Sequence, residues 1–166
     1  GITGGIGTGK STVSEIIKKL GHPVICADEI VHQFYTPGHE IYFQILDLFG
    51  DDFLNPNKTF NKEKIATEVF SNNVLRKKLE DIIHPAVRKE MMLKIKSLTK
   101  EDLKFIFLDI PLLFESNLEH LVQEIICVAC DQQIQLERLK KFRKMTTQNA
   151  MKRILAQMPL RDKIKN

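Results

Sequence analysis

The stretch "GITGGIGTGKST", Gly1 to Thr12, decides the fold. From Gly4 to Ser11 it fits G-x-x-x-x-G-K-[ST], the phosphate loop between a strand and a helix. Its glycines allow positive φ, so that backbone N–H groups can turn inward around an anion. The helix that follows aims its positive end at the same anion. Gly5, Ile6, Gly7, Thr8, Gly9, Lys10, Ser11 and Thr12 are therefore the expected nucleotide contacts, with Lys10 on the β- and γ-phosphates and Ser11 on Mg²⁺. A merely flexible turn would not place Lys-Ser at the start of an amphipathic helix. The strand that should precede the loop is nearly missing. Gly1 to Thr3 read as its last residues, and a few apolar residues are expected before Gly1, which is not read as the true start.

Apolar spacing extends the pattern outward. "KSTVSEIIKKLG" reads as a helix with Val13, Ile16, Ile17 and Leu20 on one face and Gly21 as its stop. "PVICA" (23–27) reads as a short strand. From Asp28 to about Ser97 the spacing is helical almost throughout, and Pro85 predicts a kink or a fresh helix start. "LKFIFLDI" (103–110) and "EIICVAC" (124–130) read as apolar parallel strands. "DQQIQLERLKKF" and "TTQNAMKRILAQM" read as helices capped by Asp131 and Thr146. The expected fold class is α/β: a three-layer P-loop kinase fold with a parallel sheet, a helical insert and a lid. Residues 1–27 and 103–166 form the nucleotide core, with a lid at about 138–146. Residues 28–102 form the helical acceptor subdomain, and the whole is expected to be one compact structural unit.

Composition narrows the class. The 166 residues are 43% hydrophobic and 28% charged, with a net charge of +4. That balance suits anionic small molecules and is too mild and dispersed for nucleic acid. No run approaches the roughly 18 apolar residues of a membrane span. Three cysteines, Cys26, Cys127 and Cys130, argue against a disulfide scaffold and for a reducing, cytoplasmic setting. Cys127 and Cys130 read as buried strand residues that face opposite ways, not as metal ligands. His22, His32, His39 and His120 show no metal spacing, and a monomer is expected.

Two P-loop classes compete. A regulatory GTPase needs D-x-x-G after an apolar strand and N-K-x-D for the base. Asp47-Leu48-Phe49-Gly50 ends an amphipathic helix, and "NKTF" and "NKEK" lack the final Asp. A small-molecule kinase needs a base, an acceptor domain and a cationic lid. Asp28 reads as the end of the second strand, where ligands of open α/β sheets gather, and supplies the base. "RLKKFRK" (138–144) supplies cations between two helices, Arg138 and Arg143 among them, and Arg153 is placed to join them. Asp109 ends a strand where a second Mg²⁺ ligand would stand.

"TGGIGTGKSTV", "VICADEI", "IIHPAVR", "PLLFE" and "QLERL" occur in this order. Together they resemble the dephospho-CoA kinase family over nearly the whole chain. The resemblance implies ATP-dependent phosphorylation of the ribose 3′-hydroxyl of dephospho-CoA, with Mg²⁺. It places the base on Asp28 and the acceptor near His84, Pro85, Leu112 and Glu115. Cys26 stands where the family has the first Asp of Asp-Ala-Asp, and Phe142 where a second lid Arg is expected, with Arg143 beside it as a substitute. The family continues past Asn166. The alternatives are another P-loop small-molecule kinase, acting on a nucleoside or nucleoside monophosphate, and a nucleotide-binding module without phosphotransfer.

Overall fold

A computed structural model describes residues 1–99 and 103–166. The expected boundary at 102–103 falls against residues outside the described ones. The chain divides into two compact units, Gly1–Cys26 with Glu101–Asn166, and Ala27–Lys100.

The first unit is built on a four-stranded sheet in the order β2-β3-β1-β4. The strands are β1 (Ile2–Gly4), β2 (Val24–Cys26), β3 (Phe107–Asp109) and β4 (Ile126–Val128). Every pairing is parallel. Helices flank the sheet: α1 (Lys10–Lys19), and, after β4, the run of α6 (Gln132–Arg143), α7 (Thr147–Leu155) and α8 (Leu160–Lys165). Its core gathers Ile2, Ile17, Ile25, Leu108, Leu113, Leu139 and Ala150.

The strands are shorter than the apolar runs suggest. Val24 pairs with Phe107 and Cys26 with Asp109. Pro23 precedes them and contributes only its carbonyl, which accepts the Phe107 N–H at 2.9 Å. The ladder stops there, so residues 103–106 stay outside β3 and Phe105 is exposed. β4 lies at an edge, which leaves Cys127 half-buried, and Cys130, also half-buried, falls beyond the strand. Neither is the buried core residue expected. Burial still raises the Cys127 thiol above its ordinary range, opposed by the charge of Lys163.

The face of α1 also differs from the apolar reading. Ser14 and Ile17 are buried, whereas Ile16 and Leu20 are exposed. The loop sets the rotation of this helix by directing Lys10 and Ser14 toward Asp109. The helix ends as predicted: Gly21 (φ 85°) donates to the Lys18 carbonyl and His22 to that of Ile17, both closing a Schellman turn. α7 is capped as expected, with Thr146 accepting from the Asn149 N–H at 3.2 Å, but the Asp131 side chain makes no capping bond on α6. The basic segment lies within α6 up to Arg143 rather than between helices. Cations suit the negative end of a helix.

The second unit is helical: α2 (Ala27–Phe34), α3 (Glu40–Phe49), α4 (Lys62–Ser71) and α5 (Asn73–Leu98). α5 packs on the other three. His39, Asn61 and Asn72 cap α3, α4 and α5 by accepting the N–H of Ile41, Lys64 and Leu75. Asp47 to Gly50 close α3, as the GTPase exclusion requires.

Pro85 neither ends nor restarts α5, which runs through it for 26 residues. Leu79, Ile83, Val87 and Met91 are buried along one stripe, and that packing outweighs the local cost of the proline. Pro85 lacks the donor that the Asp81 carbonyl would take. Pro85→Ala is therefore expected to stabilise the protein by roughly 1–2 kcal/mol in urea unfolding. A stability unchanged or lowered would mean that the helix accommodates the ring without cost.

Candidate nucleotide and acceptor site

Gly4 to Ser11 wrap from β1 into α1. Gly9 is the N-cap of α1 at φ 101°, a conformation suited to glycine, and no side chain caps the helix there. The N–H groups of Lys10 and Ser11, in the first turn, have no intrahelical acceptor and are left for an anion. Ser11 and Thr12 are exposed.

Lys10 Nζ pairs with Asp109 Oδ1. Ser14 donates to Asp109 Oδ2 at 2.6 Å, and Asp109 is only 3% exposed. The carboxylate at the end of β3 thus ties together Lys10 and the Ser14 hydroxyl on α1. Carboxylate and hydroxyl are hard oxygen donors, the kind Mg²⁺ takes beside substrate phosphates. Among the described residues, no group of three His, Cys, Asp or Glu side chains has the arrangement of a metal site.

Arg138 donates from Nη1 to the carbonyls of Thr8 (2.8 Å) and Gly7 (3.3 Å). It is therefore occupied with the loop itself. Arg143 ends α6, exposed, as is Arg153 on α7. Phe142 is 72% exposed with the Lys141 ammonium 5.4 Å from its ring.

The residues expected around the acceptor are split between the units. In the first, Leu112 is exposed on the turn after β3. Glu115 is committed to the fold of that unit: it accepts the Met158 N–H at 3.0 Å and pairs with Lys163 at 2.8 Å. Lys163 also donates to the Pro111 carbonyl at 3.1 Å, as does the Thr3 hydroxyl. In the second, Asp28 sits exposed in the first turn of α2. It is neither the last residue of β2, which ends at Cys26, nor the residue that opens the helix. His84 and Pro85 are exposed on α5, where Pro85 joins His39, Gln44, Asp81 and Lys89 in lining a cleft of about 530 Å³.

Ser14, Gln157 and Lys163 carry no role in the sequence reading, and Gln135 enters it only as the first residue of "QLERL", where it shares a helical face with Arg138 and Leu139, at i+3 and i+4. Lys163 had none, since a lone lysine in a short basic helix reads as solvated.

The family model described as dephospho-CoA kinase (CoaE) matches residues 1–166. A dephospho-CoA kinase of Geobacillus kaustophilus is 44% identical over 165 residues, 99% of this chain and 82% of the relative. One of Carboxydothermus hydrogenoformans is 43% identical over 165 residues, 99% of this chain and 80% of the relative. Among solved structures, one from Thermus thermophilus superposes with a TM-score of 0.85 at 29% identity, covering 99% of this chain and 82% of that one. A dephospho-CoA kinase from Campylobacter jejuni gives 0.69 at 29% identity, with the same coverage. The P-loop, the strand-end carboxylate on its lysine, and these likenesses along the full length agree: the chain belongs to the dephospho-CoA kinase family.

Proposed function

We propose that this protein transfers the γ-phosphoryl group of ATP to the ribose 3′-hydroxyl of dephospho-CoA, giving CoA and ADP. The observation that carries the reading is the family match over residues 1–166. The site in the first unit supports it, because Lys10 already faces a carboxylate that a phosphate can replace.

In this reading the 3′-oxygen attacks the γ-phosphorus and the bond to the β–γ bridging oxygen breaks. ADP leaves, and Asp28 takes the hydroxyl proton. Asp28 is the one carboxylate of the Cys26-Ala27-Asp28 motif. Lys10 and the loop N–H groups offset charge on the β- and γ-phosphates. Mg²⁺, when bound, would neutralise charge between those phosphates, and Ser11 and Asp109 are the oxygen donors at hand for it. His84, Pro85 and Leu112 serve the acceptor. Ala27–Lys100 is the acceptor unit, residues 138–146 act as the lid, and the enzyme works as a cytoplasmic monomer.

The test is a coupled ADP-release assay across a panel of acceptors. ADP release that requires dephospho-CoA is the expected result. Equal turnover with a nucleoside monophosphate would move the protein to another small-molecule kinase. Silence with every acceptor, with nucleotide still bound, would leave a nucleotide-binding module.

The lid has its own prediction. Arg138 is held by loop carbonyls, so Arg143, exposed at the end of α6, is the arginine of the 138–146 segment left to close on the transferring phosphates. Arg143→Ala is expected to lower kcat roughly tenfold or more, with a smaller change in the KM for ATP. An unchanged kcat would return the lid role to Arg138.

A further inference from the structure

Two glutamines, Gln135 at the start of the "QLERL" stretch and Gln157, grip opposite sides of one residue in the phosphate loop. Gln157, in the turn after α7, accepts the Ile6 N–H on its Oε1 at 2.8 Å. Gln135, on α6, donates its Nε2 to the Ile6 carbonyl at 2.7 Å. Gln135 is 4% exposed. Gly5 leaves room for Gln135: a Cβ there would stand 2.8 Å from Gln135 Nε2, while Gln157 Oε1, at 3.8 Å, would be in ordinary contact.

The consequence follows from peptide geometry. In a trans peptide the carbonyl of one residue and the N–H of the next point in opposite directions. α6 draws three consecutive carbonyls toward itself: that of Ile6 through Gln135, and those of Gly7 and Thr8 through Arg138. The N–H groups of Gly7, Thr8 and Gly9 are thereby turned away from α6. The Thr8 N–H, for one, points across the loop to the Gly5 carbonyl at 3.2 Å. A loop whose amides are already turned need not be ordered when the anion arrives.

We propose that Gln135 and Gln157 are positioning residues that clamp the two peptide groups flanking Ile6 and so set nucleotide affinity without touching the nucleotide. The clamp rests on reading Gly4–Ser11 as the ATP loop. It also ties both ends of the α6–α7 hairpin to that loop, since Gln135 precedes the basic segment and Gln157 follows α7. The two amides work through opposite atoms, an oxygen at 157 and a nitrogen at 135. The same Gln→Glu change therefore has opposite meanings at the two positions: it keeps the acceptor that Ile6 needs at 157 and deletes the donor at 135.

The experiment compares the wild-type chain with Gln157→Met, Gln157→Glu, Gln135→Met and Gln135→Glu. A fluorescent ADP analogue gives Kd, the ADP-release assay gives the KM for each substrate, and amide hydrogen exchange reads Ile6. Gln157→Met is expected to raise Kd for the analogue and KM for ATP about tenfold, the equivalent of one lost hydrogen bond. KM for dephospho-CoA and the Tm stay near wild type, and exchange at Ile6 accelerates. Gln157→Glu keeps Ile6 protected. The Gln135 variants, if folded, weaken the analogue as well. Because Gln135 is buried, the decision rests on Gln157. A Gln157→Met Kd within about twofold of wild type overturns the clamp. So does an equal rise in both KM values, which would mark a general loss of structure. A wild-type protein that binds the analogue but phosphorylates no acceptor sinks the kinase reading instead, and the Kd ratio still decides the clamp.

Discussion

Asp28→Asn is expected to lower kcat by about 10²-fold or more while leaving the Kd for ADP nearly unchanged. The acceptor hydroxyl is a poor nucleophile until its proton has somewhere to go. Asparagine preserves the shape of Asp28 but cannot accept that proton. The family's usual first Asp is Cys26 here, so the motif holds no second carboxylate to take over. The substitution lies outside the phosphate loop, in the first turn of α2. Nucleotide binding is therefore the internal control, and kcat with dephospho-CoA is the readout. A variant with wild-type kcat would remove Asp28 from the role of base. A variant that lost ADP affinity in parallel would show a fault in the loop instead.

Lys163→Met should cost about 3 kcal/mol of stability, at the lower end for breaking a buried pair. For a chain of this size that is a fall in Tm of roughly 6–12 °C. The Lys163 side chain is fully buried, and its ammonium serves Glu115 and the Pro111 carbonyl together. Methionine fills the volume of the stem but leaves Glu115 half-buried with only the Met158 N–H for company. The double variant Lys163→Met/Glu115→Leu separates charge from packing. An apolar pair should recover much of the loss, because the penalty lies in the orphaned carboxylate rather than in the missing attraction. A single variant within about 0.5 kcal/mol of wild type would show that the pair carries no weight. Glu115→Gln adds a functional control. If Glu115 serves the fold alone, the KM for dephospho-CoA stays put, and a rise would restore it to the acceptor.

The phosphate loop was legible because its chemistry is local. Binding an anion with backbone amides demands glycines and a Lys-Ser pair at short spacing, and both lie within Gly4–Ser11. Two helix ends were readable for the same reason, since Gly21 and Thr146 act on groups a few residues away, whereas Asp131, read in the same way, makes no capping bond. Asp28 and Asp109 were picked out because each follows an apolar run, although Asp28 proved to lie inside the next helix rather than at the strand's end. The GTPase alternative fell on the same local grounds.

What was misjudged depended on partners distant in sequence. The length of β3 is set by β2, which pairs across the sheet and stops at a proline. The rotation of α1 is set by Asp109, which draws Ser14 inward where apolar counting favoured Ile16. Of the kink or fresh helix start expected at Pro85, the fresh start does not occur, because a buried stripe of four side chains carries α5 through the proline. Cys130 needed the end of β4 to be known.

By itself, then, the sequence determined that this chain binds a phosphate at its first helix, alternates strands and helices around that loop, and carries a helical insert after the second strand. Periodicity, capping and loop chemistry act over a turn or two of chain and need no tertiary partner. Only the tertiary structure decided where Lys10 rests, which lysine neutralises Glu115, and that Gln135 and Gln157, 129 and 151 residues from Ile6, hold its carbonyl and its N–H. A hydrogen bond across such a distance exists only after the sheet has brought its elements together, and no spacing along the chain encodes it.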